Sequence, residues 1–124
     1  MKKIVLAMLI LVVASSFTFA GSFNLGDFPL GKWLDSNWNA LWEFSSGNIR
    51  IINSTNGDLF YDFDGKTIEN FSVKPSLKGI VLSFYCKETG KKYTFTKPAT
   101  NLNLNMEINT DSGIDYKVEL PFQK

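Results

Sequence analysis

Residues 79–97 read GIVLSFYCKETGKKYTFTK and show most clearly the pattern that runs through the chain. Apolar and polar side chains alternate on both sides of Thr89-Gly90. Alternation with a period of two is typical of a half-buried strand, and glycine at the turn accepts a positive φ. The stretch therefore predicts an antiparallel β-hairpin. Its inward-facing side chains are Ile80, Leu82, Phe84, Tyr93 and Phe95.

The same rhythm continues on both sides of this hairpin. The turn signals are Ser46-Gly47, Asn56-Gly57, Asp64-Gly65, Pro75 to Gly79, Thr89-Gly90, Pro98 to Thr100 and Asp111-Ser112-Gly113. They predict strands over 40–45, 48–53, 58–63, 66–73, 79–87, 91–97, 101–109 and 114–120. Short connections make successive strands antiparallel neighbours. We expect an all-β fold, an eight-stranded antiparallel up-and-down barrel, because closure removes exposed sheet edges; an open sandwich is the alternative.

Alternation also assigns the two faces of these strands. The other inward positions are Ala40, Trp42, Phe44, Leu59, Tyr61, Phe63, Leu102, Leu104, Met106, Ile108, Tyr116, Val118 and Leu120. The outward positions are Glu43, Asp62, Lys92, Thr94, Asn101, Asn103, Asn105, Glu107, Lys117 and Glu119. In the fourth segment Ile68 falls out of phase with Phe71 and Val73, which predicts a β-bulge there.

The chain begins like a secretory leader. Met1-Lys2-Lys3 is positively charged, Ile4 to Phe19 carries no charge, and small residues at Thr18 and Ala20 suit cleavage after Ala20. The apolar run of about 16 residues is shorter than the roughly 20 that span a bilayer as a helix. We therefore expect a signal peptide at 1–20 and a bacterial protein that is periplasmic or secreted, with no transmembrane span after cleavage.

Composition excludes several chemistries. The chain has no His and a single Cys, so a Ser-His relay, a Cys-His relay and a multi-thiolate zinc site are ruled out. Removal of Lys2 and Lys3 reduces the 13 basic residues to 11, against 12 acidic ones, so the net charge is about −1. A chain with this charge has no electrostatic attraction for nucleic acid. The acidic residues at Asp58, Asp62 and Asp64 fit turn chemistry better than a calcium loop. We expect no enzyme activity, no metal and no cofactor.

Residues 21–39, between the leader and the predicted barrel domain at 40–124, are dense in large apolar side chains. This composition predicts a short helical or irregular plug across one barrel mouth, formed by Phe28, Leu30, Trp33 and Leu34. The alternative is a lid over a ligand site, with Trp33 and Trp42 in an aromatic wall.

This segment and the strands after it resemble a known protein family. Gly31-Lys32-Trp33, followed by residues 42–49 and a ladder of hairpins, resembles the start of lipocalin-like barrels, in which a Gly-x-Trp motif opens the first strand. The resemblance implies barrel topology over most of the mature chain. It also implies that Trp33 closes one end, that Gly31 allows a tight approach, and that the protein binds a ligand.

Two functions follow from these patterns. The first is a non-catalytic carrier or sensor of a small apolar ligand, and the candidate binding residues are Trp33, Trp42, Phe44, Tyr61, Tyr93 and Tyr116. The second is a cell-envelope interaction or inhibitor module that binds a protein and keeps its core filled. Bulky inward side chains favour a filled core, whereas inward tyrosine hydroxyls need polar partners, water or a ligand. In either case we expect a monomer.

Overall fold

The computed structural model describes residues 24–124 and the backbone of a short strand at 18–19. The predicted leader otherwise lies outside the described residues. The strands are β1 (Thr18–Phe19), β2 (Gly31–Asp35), β3 (Ala40–Ser45), β4 (Asn48–Asn53), β5 (Leu59–Asp62), β6 (Ile68–Ser76), β7 (Gly79–Cys86), β8 (Lys91–Pro98), β9 (Leu104–Thr110), β10 (Gly113–Leu120) and β11 (Phe122–Gln123). The part of the chain described contains no helix.

The strands form two antiparallel sheets. One has the order β1-β6-β7-β8-β9-β10 and the other the order β11-β2-β3-β4-β5. The chain passes from one sheet to the other between β5 and β6 and again at Pro121, whose carbonyl accepts a hydrogen bond from the Leu34 amide at 2.9 Å. The all-β prediction is therefore confirmed. Among the described strands no ladder joins β5 to β6, so the predicted closed barrel is not formed by these pairings.

Each of the eight predicted strands matches a strand of the structure, and most face assignments are confirmed. Two inward predictions are wrong. Leu59 is 55% exposed because the β4–β5 ladder shifts register between Ile51 and Ile52, which turns the start of β5 outward. Leu102 is 61% exposed because β9 begins only at Leu104. The alternation of apolar and polar residues cannot predict which way a side chain faces when, like Leu102, it precedes the first residue of the strand.

The predicted bulge in the fourth segment is confirmed. The β6–β7 ladder shifts register between Glu69 and Ser72. Asn70, inside this shift, has a φ of 56°, the left-handed conformation that Asn tolerates better than most residues. The bulge brings Ile68 into the core despite its phase relative to Val73.

The prediction of helical or irregular structure throughout 21–39 is corrected by β2. Gly31–Asp35 forms a strand that pairs with β3, with Trp33 opposite Trp42. The non-strand parts that the structure describes are the irregular residues 24–30 and the turn at 36–39. Within residues 24–30, Leu25 and Phe28 are buried while Leu30 is exposed, so this segment does fill one end of the core.

Aromatic rings hold the two sheets together. Trp42 and Phe44 project from β3 towards Phe95 of β8, with ring centroids 5.3 and 5.1 Å from that ring. Phe63, just after β5, lies 5.3 Å from Phe84 and 5.2 Å from Tyr93, both edge to face. Such contacts add to the free energy gained from burying the rings. The middle of the molecule is consequently a filled core.

Gly31 and Trp33 pack closely at the edge of this core. The Trp33 ring meets Phe44 and Phe122 edge to face, and its indole N–H donates to the Leu102 carbonyl at 2.7 Å. A Cβ atom at Gly31 would lie 2.9 Å from the Phe122 ring, so this position requires the smallest side chain. The tight approach at Gly31 is therefore found, whereas membership of the lipocalin-like family stays a prediction.

Trp33→Ala should lower the free energy of unfolding by about 3–5 kcal/mol, because it removes a large buried ring and leaves a cavity. Trp38→Ala is the matched control, since Trp38 is 69% exposed and its loss should change stability by about 0.5 kcal/mol or less. Urea unfolding of both variants measures the difference. Equal midpoints would show that Trp33 does not contribute to the core as described.

Candidate ligand-binding cleft

A cleft of about 500 Å³ opens between the two sheets, near the turn that joins β2 to β3. We call it the inter-sheet cleft. Ala40, Trp42 and Ile51 line it from the sheet that contains β3, and Met106, Ile108 and Tyr116 line it from the sheet that contains β9. Alternation places these side chains on the inner faces of their strands, and the small Ala40 leaves space where a larger side chain would fill the gap. The walls are mainly apolar.

The rim of the inter-sheet cleft carries two exposed aromatic side chains and one ion pair. Trp38, in the turn after β2, is 69% exposed, and Phe60 of β5 is 50% exposed. The Lys91 ammonium lies 3.3 Å from a carboxylate oxygen of Asp115. An exposed pair of this kind contributes little to stability, so its effect here is to place charge beside an apolar opening.

Asp35 and Tyr116 connect β2 to β10 at the cleft. The Tyr116 hydroxyl donates to the Asp35 carboxylate, with oxygen–oxygen distances of 2.8 and 3.0 Å. The same hydroxyl accepts from the Asn37 side-chain amide at 2.9 Å, and the Asn37 backbone N–H donates to Asp35 at 3.0 Å. Asp35 is only 2% exposed. Neutral donors therefore satisfy a buried carboxylate at the cleft wall.

The hydrogen bond to Asp35 has an electrostatic consequence. Burial raises the pKa of the Tyr116 phenol, and donation to Asp35 raises that pKa further, because the phenolate would lose its proton beside a carboxylate; the Asn37 amide acts in the opposite direction. The net pKa is higher than that of an ordinary tyrosine. At neutral pH Tyr116 thus remains a hydrogen-bond donor to Asp35.

The structure brings together two of the six predicted binding residues at this cleft, Trp42 and Tyr116. Trp33 and Phe44 are buried and contact each other in the core. Neither lines the inter-sheet cleft.

The remaining two predicted binding residues are tyrosines directed towards the core. The Tyr93 hydroxyl donates to Thr89 at 3.0 Å, and the Tyr61 hydroxyl lies 3.8 Å from the Cys86 sulfur. Burial raises the pKa of both phenols. All three inward tyrosines therefore have partners within the protein, which removes the main sequence-based reason to expect a ligand among them.

Most residues that line the cleft were missed as binding residues by the sequence reasoning, among them Asp35, Trp38 and Phe60. Asp35 interrupts the apolar pattern of its segment, and Trp38 lies in a turn that alternation does not assign to a face. For Asp35 a signal does exist: Asp35-Ser36-Asn37 is a typical Asx turn that marks the end of a strand. Phe60 carried no signal, because the register shift in β5 exposes it.

Within the described part of the chain, the structure contains no helix of the length and hydropathy that a membrane crossing requires. Comparison of the chain with models of protein families, with curated proteins and with solved structures found no match.

Tyr116→Phe should lower the free energy of unfolding at neutral pH by about 1–3 kcal/mol, since it leaves Asp35 buried with one partner fewer. Tyr85→Phe, on the outward face of β7, should change it by about 0.5 kcal/mol or less. Urea unfolding at pH 7 tests this difference. Equal midpoints for the two variants would contradict the described role of the Tyr116 hydroxyl.

The hydrogen bond between Tyr116 and Asp35 also predicts that the free energy of unfolding depends on pH in the alkaline range. Because folding raises the pKa of Tyr116, the unfolded chain loses this proton first as the pH increases. The stability from the protonated phenol is complete below about pH 10 and is lost as the pH rises through the higher folded-state pKa. Unfolding measured from pH 9 to 12 should show a shallower decline for Tyr116→Phe than for the wild type. Parallel declines would contradict the prediction.

Proposed function

We propose that the protein is an exported, non-catalytic binding protein that holds a small apolar ligand in the inter-sheet cleft. The observation that carries this proposal is the cleft itself, an opening of about 500 Å³ between two otherwise well-packed sheets. This volume lies within the range of about 300–1,000 Å³ that is usual for small-molecule sites. Like those sites, it combines apolar and aromatic walls with a few polar groups.

The filled core limits where a ligand can bind. Trp42 packs against Phe95 on one side and lines the cleft on the other, so it separates core from cleft. A ligand would contact Trp42 and Tyr116 at the end of the sandwich instead of entering between Phe44 and Phe95. The proposal therefore gives Trp33, Phe44 and Tyr93 a supporting role beneath the site.

The non-catalytic part of the proposal rests on the chemistry of the lining residues. With no His in the chain, a base at this site would have to be a carboxylate or a lysine. Asp35 is occupied by donors from Tyr116 and Asn37, and Lys91 is paired with Asp115. These partners suit a binding surface better than a group that must exchange protons with a substrate.

A lipocalin-like barrel is the finer form of the fold that we propose. Its support is the consecutive order of the strands from β2 to β10 and the pairing of β11 with β2, which connects the end of the chain to the start of the meander. The pairing missing from a full barrel is that between β5 and β6. Export is supported by the leader-like residues 1–20.

Titration with the neutral dye N-phenyl-1-naphthylamine tests the proposed function. We expect saturable binding at one site, with quenching of tryptophan emission, because Trp38 and Trp42 line the cleft. Trp38→Ala and Phe60→Ala should each weaken binding by about three- to tenfold, the effect of removing part of an apolar contact.

The matched control for these substitutions is Leu102→Ala. Leu102 is an exposed apolar residue that does not line the cleft, so its removal should leave dye affinity unchanged. Absence of a saturable signal in the folded wild type would contradict the proposed function. Equal weakening by Leu102→Ala would show that the dye binds the apolar surface in general.

A second candidate function, a cell-envelope interaction or inhibitor module, is favoured by one specific observation. Leu59, Phe60 and Ile114 are large apolar side chains that are at least half exposed, together with Trp38 at the rim. Of these, Phe60 and Trp38 lie at the same cleft, and exposed apolar side chains that lie close together mark protein interaction sites. This candidate predicts that small apolar molecules do not bind saturably, so the dye titration also decides between the two functions.

A further inference from the structure

We propose that the inter-sheet cleft selects an organic cation, an ammonium group attached to an apolar body. This inference rests on the proposed function and specifies the class of ligand. It follows from the charge and the aromatic character of the residues that line the cleft.

The first observation is the buried carboxylate of Asp35. Its hydrogen-bond donors, the Tyr116 hydroxyl and the Asn37 backbone amide, are neutral. Within the described part of the chain, the ion pairs are Lys32–Glu43, Arg50–Glu43 and Lys91–Asp115, and none includes Asp35. A carboxylate that is removed from water and matched by no cation favours a positively charged partner.

The second observation is the charge balance of the lining. Asp35, Asp115 and Lys91 are its charged residues, and the lysine is paired with Asp115. One negative charge therefore remains uncompensated at the wall of the cleft. An anionic ligand would be repelled, whereas a cation would compensate Asp35 in a partly desolvated site where the attraction is stronger than in water.

The third observation is the aromatic lining of the same cleft. Trp38, Trp42, Phe60 and Tyr116 all line the cleft. The faces of aromatic rings attract ammonium groups, tryptophan most strongly, and sites that bind quaternary ammonium ligands are built from such rings. The apolar walls formed by Ile51 and Ile108 would accommodate the uncharged part of the same ligand.

The test compares two probes of nearly equal shape. Benzyltrimethylammonium carries a positive charge, and neopentylbenzene is its neutral counterpart with carbon in place of nitrogen. Each competes with N-phenyl-1-naphthylamine for the wild-type protein. We expect the cation to bind about tenfold more tightly than the neutral probe, and this ratio to fall as salt is added.

Two variants locate the preference. Asp35→Asn keeps the shape of the side chain and removes its charge, so the ratio of the two affinities should fall to about one to three. Trp38→Leu keeps an apolar side chain and removes the ring, and it should reduce the ratio less. Because Trp38 is exposed, the second variant tests the inference even if Asp35→Asn does not fold. Asp58→Asn removes an exposed charge outside the cleft and should leave the ratio unchanged.

The outcomes separate the two proposals. If the dye binds and the two probes compete equally well in the wild type, the cation preference is overturned while the proposed function stands. If the ratio is high but Asp58→Asn lowers it as much as Asp35→Asn, the preference arises from net charge and the assignment to the cleft is overturned. If the dye and both probes fail to bind, the proposed function is overturned together with this inference.

Discussion

The contact on which the rest of the structure depends is the aromatic packing of β3 against β8. Trp42 and Phe44 meet Phe95 across the gap between the sheets. No ladder joins β5 to β6 among the described strands, so on that side the sheets are connected by the short segment 63–67 and by side-chain packing. On the other side the chain itself passes between the sheets at Pro121. The architecture thus combines chain crossings on both sides of the sandwich with a seam of packed rings between them.

The position of the inter-sheet cleft follows from where this packing ends. Alternate residues of β3 face the core, and their size falls from Phe44 and Trp42 to Ala40. Beyond Trp42 the sheets are therefore separated by a gap, and the Tyr116–Asp35 hydrogen bonds connect them there. A polar connection leaves this gap open, as the proposed ligand site requires, whereas an apolar side chain would fill it. The candidate site consequently begins where the packed core ends, and the side chains of β3 determine both.

Much of this fold could be predicted from sequence, because it depends on local alternation. The strands from β3 to β10 and the bulge at Asn70 are visible in the pattern of single segments. β2 was missed since Asp35 places a carboxylate at an inward position, where the pattern requires an apolar residue. The cleft could not be predicted, since it depends on the relative position of two sheets and on side chains such as Trp38 that lie outside regular alternation.

The most direct test of binding in the inter-sheet cleft is a two-dimensional ¹H–¹⁵N NMR spectrum of the indole N–H groups, each signal assigned with a single Trp→Phe variant. The 3 tryptophans occupy different positions: Trp38 and Trp42 line the cleft, whereas Trp33 donates its indole proton to Leu102. During titration with benzyltrimethylammonium, we expect saturable shifts for Trp38 and Trp42 and an unchanged Trp33 signal. Three unchanged signals, or a shift confined to Trp33, would contradict binding in the inter-sheet cleft.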